Sequence, residues 1–223
     1  DSVDGAGGKG RTLGLVGESG SGKTTLACCV AGLLERSSGD VLLAGLPLSP
    51  GLAGRSQDVI ARLQMVFQKP DEALNPYRSV GDALTRPLVR LAGLSQAAAR
   101  QRAVELLAAV KLSPAVMQRL PEQLSGGEKQ RVAIARAFAS HPEVLILDEA
   151  VSALDVSVQA AILNLLNDLQ SQQASAYLFI SHDLAVVAYL ADAVAVMYLG
   201  QIVESGPTEQ LIRPPYHPYT EAL

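Results

Sequence analysis

The stretch Thr12-Leu13-Gly14-Leu15-Val16-Gly17-Glu18-Ser19-Gly20-Ser21-Gly22-Lys23-Thr24-Thr25 decides how this chain is read. Thr12 to Val16 is a short apolar run closed by Gly17, and Thr24 to Leu34 carries helical spacing, so the segment reads strand, glycine-rich loop, helix. Within it, Gly17 to Thr24 fits G-x-x-x-x-G-K-[ST] in the context that makes that pattern credible. The glycines let backbone N–H groups turn inward around phosphate oxygens, the helix N-terminus adds partial positive charge, and Lys23 neutralises the outer phosphates. Gly17, Glu18, Ser19, Gly20, Ser21, Gly22, Lys23, Thr24 and Thr25 are therefore the candidate phosphate cradle, with the Thr24 hydroxyl placed to hold Mg2+. Taken alone, the pattern would also describe a glycine turn with a solvated lysine. The rest of the chain argues otherwise.

Val144 to Leu147 is fully apolar and ends in Asp148-Glu149. This puts two carboxylates at the C-terminal end of a buried strand, where open parallel sheets bind ligands. Asp148 is the candidate Mg2+ ligand, acting through water, and Glu149 the candidate general base for an attacking water. Leu124-Ser125-Gly126-Gly127-Glu128 has the spacing of a capping box, and Ile134, Ala135, Phe138 and Ala139 give the helix that follows an apolar face. Two glycines beside a cap weaken a helix start, which makes sense where bare N–H groups approach an anion such as a γ-phosphate. Gln68 ends a strand where helices begin, and can feel Mg2+ or water on one side and movement of those helices on the other. His182 follows another strand and is assigned to the γ-phosphate and the attacking water. Each of these alone has a plain reading as a loop start, a capped helix, a surface glutamine or a structural histidine; their order behind a phosphate loop favours chemistry.

Of the 223 residues, 48% are hydrophobic and 18% charged, with a net charge of -4, so no broad basic field invites nucleic acid. The apolar stretch Leu184 to Gly200 is interrupted by Asp192, falls short of a bilayer span and reads as a short helix then a strand. Residues 1–10, with Gly5, Gly7, Gly8 and Gly10, read as a flexible lead-in or a cut edge. They carry no export signal, which points to the cytoplasm. Cys28 and Cys29 are adjacent on a predicted helix and diverge, so they are expected to be buried small hydrophobes with no disulfide or metal.

Strands are also predicted at Val41–Ala44, Leu63–Phe67, Ala176–Ile180 and Ala193–Leu199, and a helix from about Val156 to Leu169. Pro70 to Gln123 holds helices only: Val80–Leu91 and Ser95–Leu112, the latter striped by Ala103, Leu106, Leu107 and Val110. The expected fold is α/β: a mainly parallel sheet flanked by helices, formed by residues 11–69 and 141–223, with an inserted all-helical subdomain at about 70–140.

In this order the motifs resemble the nucleotide-binding domain of an ABC transporter, from about Gly10 to Leu223. They are a phosphate loop, a Gln loop at Gln68, a signature at Leu124 to Glu128, a second phosphate motif ending in Asp148-Glu149, a dimer loop at Ser152-Ala153-Leu154-Asp155 and a switch at His182. The resemblance implies a P-loop NTPase fold that hydrolyses ATP with Mg2+ at Thr24, Gln68 and Asp148, and with Glu149, His182 and Gln68 catalytic. It also implies a head-to-tail pair with a second ABC ATPase domain, in which the phosphate loop of one copy and Ser125, Gly126, Gly127, Glu128 and Asp155 of the other enclose ATP.

Three stretches look like the ATPases of peptide and nickel importers: Gln64-Met65-Val66-Phe67-Gln68 continuing to Leu74-Asn75-Pro76, then Glu149 to Ser157, and His217-Pro218-Tyr219-Thr220. That similarity implies membrane permease subunits and, indirectly, an extracytoplasmic substrate-binding protein as partners, and a place on the cytoplasmic face of the cell membrane. Two departures stand out. The first aromatic residue is Phe67, whereas the family usually has an adenine-stacking aromatic before the phosphate loop, so the chain is expected to be a fragment, such as one cassette of a longer polypeptide. Glu128 stands where Gln is commoner, keeping the cap and adding negative charge. A soluble ATPase of the same type in translation or DNA repair, or import of nickel or another small solute, stays open as an alternative.

Overall fold

The computed structural model describes residues 10–211, 213, 214 and 217–223, so residues 1–9 of the predicted lead-in lie outside the described residues. The chain runs β1 (Thr12–Val16), α1 (Lys23–Ala31), β2 (Leu42–Leu43), β3 (Leu46–Pro47), α2 (Gln57–Arg62), β4 (Leu63–Val66), α3 (Val80–Arg90), α4 (Gln96–Ala109) and α5 (Gly126–Ala137). It continues β5 (Val144–Asp148), α6 (Val156–Gln173), β6 (Ala176–Ser181), α7 (Leu184–Leu190), β7 (Ala193–Tyr198), β8 (Gln201–Pro207), α8 (Thr208–Leu211) and α9 (Pro218–Ala222).

One sheet in the order β4-β5-β6-β1-β7-β8 organises the fold, parallel throughout except for the antiparallel β7–β8 hairpin. The register matters for function. Val16 pairs with Ser181, Asp148 with Ile180 and Val66 with Leu147, so the C-terminal ends of β1, β4, β5 and β6 share one edge. Gly17, Gln68, Glu149 and His182 all leave the sheet there.

Successive side chains of a strand point to opposite faces, and both faces of this sheet are covered. Leu145 and Leu147 join Phe179, Ile134, Phe138, Leu84, Leu107, Ile162 and Leu166 in a core shared by α3, α4, α5 and α6. Ile146, Leu15, Ile180, Ala195 and Met197 meet Ala27 of α1 on the other side. Because buried side chains of α3 and α4 belong to the same cluster as those of β5, the helical region between β4 and β5 shares its apolar burial with the sheet.

Several boundaries depart from the expected ones. Of Val41–Ala44 only Leu42–Leu43 is extended, and it pairs with β3 in a separate two-stranded ribbon. Ala44 and Gly45, at φ 51° and 79°, make the tight turn that closes it, because two consecutive residues with positive φ suit a two-residue hairpin. The first helix ends at Ala31, short of Leu34, since Gly32 adopts φ 78° and its N–H caps the Cys28 and Cys29 carbonyls. Helix α2, started by Ser56 accepting from the Val59 N–H, and the polar edge strand β8 were not foreseen. Cys28 and Cys29 are half-buried, where full burial was expected, because α1 buries only Lys23 and Ala27. Among the described residues no helix is long and apolar enough to cross a membrane.

Candidate active site

At the edge where β1 ends, the loop from Gly17 to Gly22 wraps around the Lys23 side chain. Lys23 is only 4% exposed, and its Nζ donates to the Gly17 carbonyl at 2.7 Å and the Glu18 carbonyl at 2.8 Å. Gly17 allows no side chain: a Cβ there would lie 2.2 Å from the Met197 carbonyl oxygen. Thr24 Oγ1 donates to Asp148 Oδ1 at 3.2 Å, joining the start of α1 to the end of β5, while Thr25 is exposed on α1.

Burial pushes the Lys23 ammonium below its ordinary pKa, and the negative charges of Glu149 and then Asp148 oppose that shift. Burial likewise raises the Asp148 carboxyl, against the lowering effect of the Thr24 hydrogen bond. Two opposite charges, each penalised by desolvation, are what a polyphosphate and a divalent cation would compensate. Among the described residues no group of three or more His, Cys, Asp or Glu converges as a metal centre. The Thr24 hydroxyl and Asp148 carboxylate are nonetheless the hard oxygen donors that fit Mg2+, a cation that keeps waters and takes substrate phosphates alongside one or two carboxylates.

Glu149 follows β5 in the left-handed conformation, φ 45°, which costs a non-glycine residue roughly 1–2 kcal/mol. Its backbone is held on both sides: its N–H donates to the Ile180 carbonyl at 3.0 Å and its carbonyl accepts from Ser152 Oγ at 2.9 Å. The carboxylate is bracketed as well. Gln68 Nε2 donates to Oε2 at 2.9 Å, and His182 Nδ1 lies 3.4 Å from Oε1. Strain of this kind persists where the surroundings over-determine it, and it clusters at functional sites. Glu18, Ser19, Glu149, His182 and Leu223 line a recess of about 360 Å³.

The signature residues hold a different position. Ser125 Oγ accepts from the Glu128 N–H at 3.3 Å and the Ser125 N–H donates to Glu128 Oε2 at 2.8 Å, a complete capping box for α5. The Ser125 backbone donor, with help from its side chain, holds the Glu128 carboxyl below the usual range. The two glycines have different surroundings. A Cβ on Gly127 would sit 2.8 Å from Val158 Cγ1 of α6, so a side chain there would displace Val158, whereas Gly126 faces open space. Asp155 caps α6, its Oδ1 accepting from the Val158 N–H at 3.0 Å and Ser157 Oγ at 2.7 Å.

Direct contacts thus join Thr24 to Asp148, and Gln68 and His182 to Glu149, while Lys23 bonds within its own loop and feels both carboxylates through space; Ser125, Glu128 and Asp155 bond within their own helix caps. Ser152, read from sequence only as part of a loop motif, touches both Glu149 and Gln68, the latter at 3.4 Å. Its position three residues after the candidate base, where a hydroxyl can turn back on the chain, was the available signal.

A phosphate loop between β1 and α1, over a parallel sheet in which β5, separated from β1 by β6, ends in paired carboxylates, defines the P-loop NTPase fold. The family described as ABC transporter matches residues 2–152, and the chain belongs to that family. It is 46% identical over 214 residues to the di/tripeptide transport ATP-binding protein DppF of Pseudomonas aeruginosa, covering 96% of this chain and 66% of that protein. It is 49% identical over 215 residues to the glutathione import ATP-binding protein GsiA of Salmonella typhi, covering 96% of this chain and 34% of that one. The chain therefore spans about two thirds of the first relative and about a third of the second. Among solved structures, the dimeric post-hydrolysis state of the ATP-binding cassette MJ0796, bound to ADP and Pi, matches with a TM-score of 0.80 and 26% identity, over 90% of this chain and 86% of that one.

Proposed function

We propose that this chain is the ATP-binding and ATP-hydrolysing part of an ABC importer for oligopeptides or dipeptides, driven by ATP-dependent closure of a pair of such domains. The observation that carries the reading is the Glu149 carboxylate, held between Gln68 and His182 beside the Lys23 loop.

The loop N–H groups and Lys23 cradle the phosphates, Lys23 exchanging the Gly17 and Glu18 carbonyls for phosphate oxygens. Thr24 and Asp148, with Gln68 close by, would hold Mg2+, which when bound supplies positive charge at the phosphate oxygens. Glu149 takes the proton of the attacking water, and Gln68 and His182 fix the orientation of its carboxylate. Positioning and preorganised charge supply most of the rate.

The second domain contributes Ser125, Gly126, Gly127, Glu128 and Asp155 across the ATP. The open space over Gly126 and the exposure of Ser125 and Asp155 support this assignment. Residues 11–69 and 141–223 form the catalytic core, and about 70–140 the helical subdomain that relays closure to membrane permease subunits on the cytoplasmic face, which an extracytoplasmic binding protein supplies with peptide. The similarity to DppF and GsiA supports the cargo class.

The test is turnover of Mg2+-ATP by the full-length protein and by Glu149→Gln. Loss of a general base is expected to lower kcat by about 10² to 10⁴ and to trap an ATP-bound dimer on gel filtration. Equal rates would remove Glu149 from the mechanism. Uptake of labelled dipeptide, measured with and without the protein in cells, tests the cargo.

A further inference from the structure

The His217-Pro218-Tyr219-Thr220 segment, unused in the chemistry above, folds back onto the phosphate loop. The Glu18 N–H donates to the Tyr219 hydroxyl at 2.8 Å, between residues 201 apart in sequence. That hydroxyl is itself well located. The Tyr219 ring packs on Tyr198 of β7 with centroids 4.4 Å apart. Buried Thr220 donates to Glu204 Oε2 on β8, which also accepts from the His217 N–H at 3.2 Å, and His217 Nδ1 accepts from the Tyr219 N–H at 3.1 Å.

The far end of the loop is tied to the same hairpin, because the Gly200 N–H donates to the Ser21 carbonyl at 2.9 Å. The loop is therefore braced twice, at Ser21 by the β7–β8 turn and at Glu18 by Tyr219. The peptide that joins Gly17 to Glu18 has its carbonyl, that of Gly17, on Lys23 Nζ at 2.7 Å and its N–H, that of Glu18, on the Tyr219 hydroxyl. If Lys23 lets go of that carbonyl as it turns to a phosphate, the Tyr219 bond still holds the peptide in place.

We propose that Tyr219 is a positioning residue for nucleotide binding: its hydroxyl presets the Gly17–Glu18 peptide, and with it the first turn of the phosphate loop. This rests on the ATP-binding reading above. Because Glu18 is exposed, water satisfies its N–H when the hydroxyl is removed, so the fold loses little stability while the loop loses order. The effect falls on affinity and spares the proton transfer at Glu149.

In the full-length protein, Tyr219→Phe keeps the ring pair and removes only the hydroxyl, and Tyr198→Phe keeps the same pair as a control. With Mg2+-ATP as the probe, Tyr219→Phe is expected to raise Kd and KM roughly 3- to 10-fold, the range of one neutral hydrogen bond. The same variant is expected to leave kcat within about twofold and Tm unchanged, and Tyr198→Phe to bind as the wild type does. Wild-type affinity in Tyr219→Phe would overturn the proposal, and so would a loss of affinity that comes with a clear fall in Tm. A wild type that binds no nucleotide would overturn the ATP reading and this inference together.

Discussion

Gln68 Nε2 and Glu149 Oε2 lie 2.9 Å apart although 81 residues separate them in sequence. The contact follows from the parallel pairing of β4 with β5, where Val66 lies opposite Leu147, so the residues two positions further along each strand meet at the sheet edge. The helical region from α3 to α5 departs from the chain just after Gln68 and returns just before β5. Gln68 thus stands between those helices and the candidate base.

Replacing Gln68 with Ala removes the donor to Glu149 while leaving the phosphate loop intact. A hydrogen bond to a charged group contributes about 1.5–3 kcal/mol, so kcat is expected to fall roughly tenfold or more with little change in KM. Steady-state ATPase kinetics measure this, and an unchanged kcat would mean that the contact has no part in turnover.

Gly126 and Gly127 are adjacent in sequence and are expected to respond oppositely to alanine. Gly127→Ala drives a methyl group against Val158 Cγ1 and is expected to lower Tm by several degrees, since overpacking costs about 1–3 kcal/mol. Gly126→Ala meets open space and keeps or slightly raises Tm, because alanine favours the helix. If Gly126 faces the ATP of a second copy, its variant loses turnover despite folding normally. Thermal melts paired with ATPase rates separate the two, and equal melting temperatures would contradict the packing role of Gly127.

Glu149 is held at φ 45°, and glycine adopts that conformation without the Cβ penalty. Glu149→Gly is expected to stabilise the fold by about 1 kcal/mol, roughly 2–4 °C in Tm, while abolishing hydrolysis. A melting temperature at or below the wild-type value would show that the side-chain contacts of Glu149 outweigh its backbone strain.

Burial raises the Asp148 pKa, so the native state holds this proton more tightly than the unfolded chain does. Its contribution to stability is fully present below the unfolded carboxylate range and is lost as pH rises through the folded value. At pH 7 the wild type thus bears the cost of a buried carboxylate. Asp148→Asn, with Glu149 still present to stabilise Lys23, is expected to raise Tm at pH 7, with the gain shrinking as pH falls towards the acid range. Melts across that range without added Mg2+ measure it, and a gain that grew on acidification would reverse the sign.

Much of this architecture was legible before any coordinate. The strand-loop-helix at Thr12 to Ala31, the apolar run ending at Asp148-Glu149 and the Ser125 cap are written in local periodicity and spacing, which short stretches of chain obey on their own. Helix α2 was missed because a six-residue segment offers too few periods to show a pattern. Strand β8 was missed because its polar face is set by its place at the sheet edge.

What the residues alone determined is the chemistry available: which carboxylates, amides and glycines exist, and in what order. Which of them touch was decided by the tertiary structure. The register of β4 against β5 placed Gln68 on Glu149, α6 packing against α5 gave Gly127 a steric reason, and the β7–β8 hairpin carried Tyr219 to Glu18. Each is a pairing of distant segments, and local patterns carry no information about which surfaces, among many of similar hydrophobicity, will come to lie against one another.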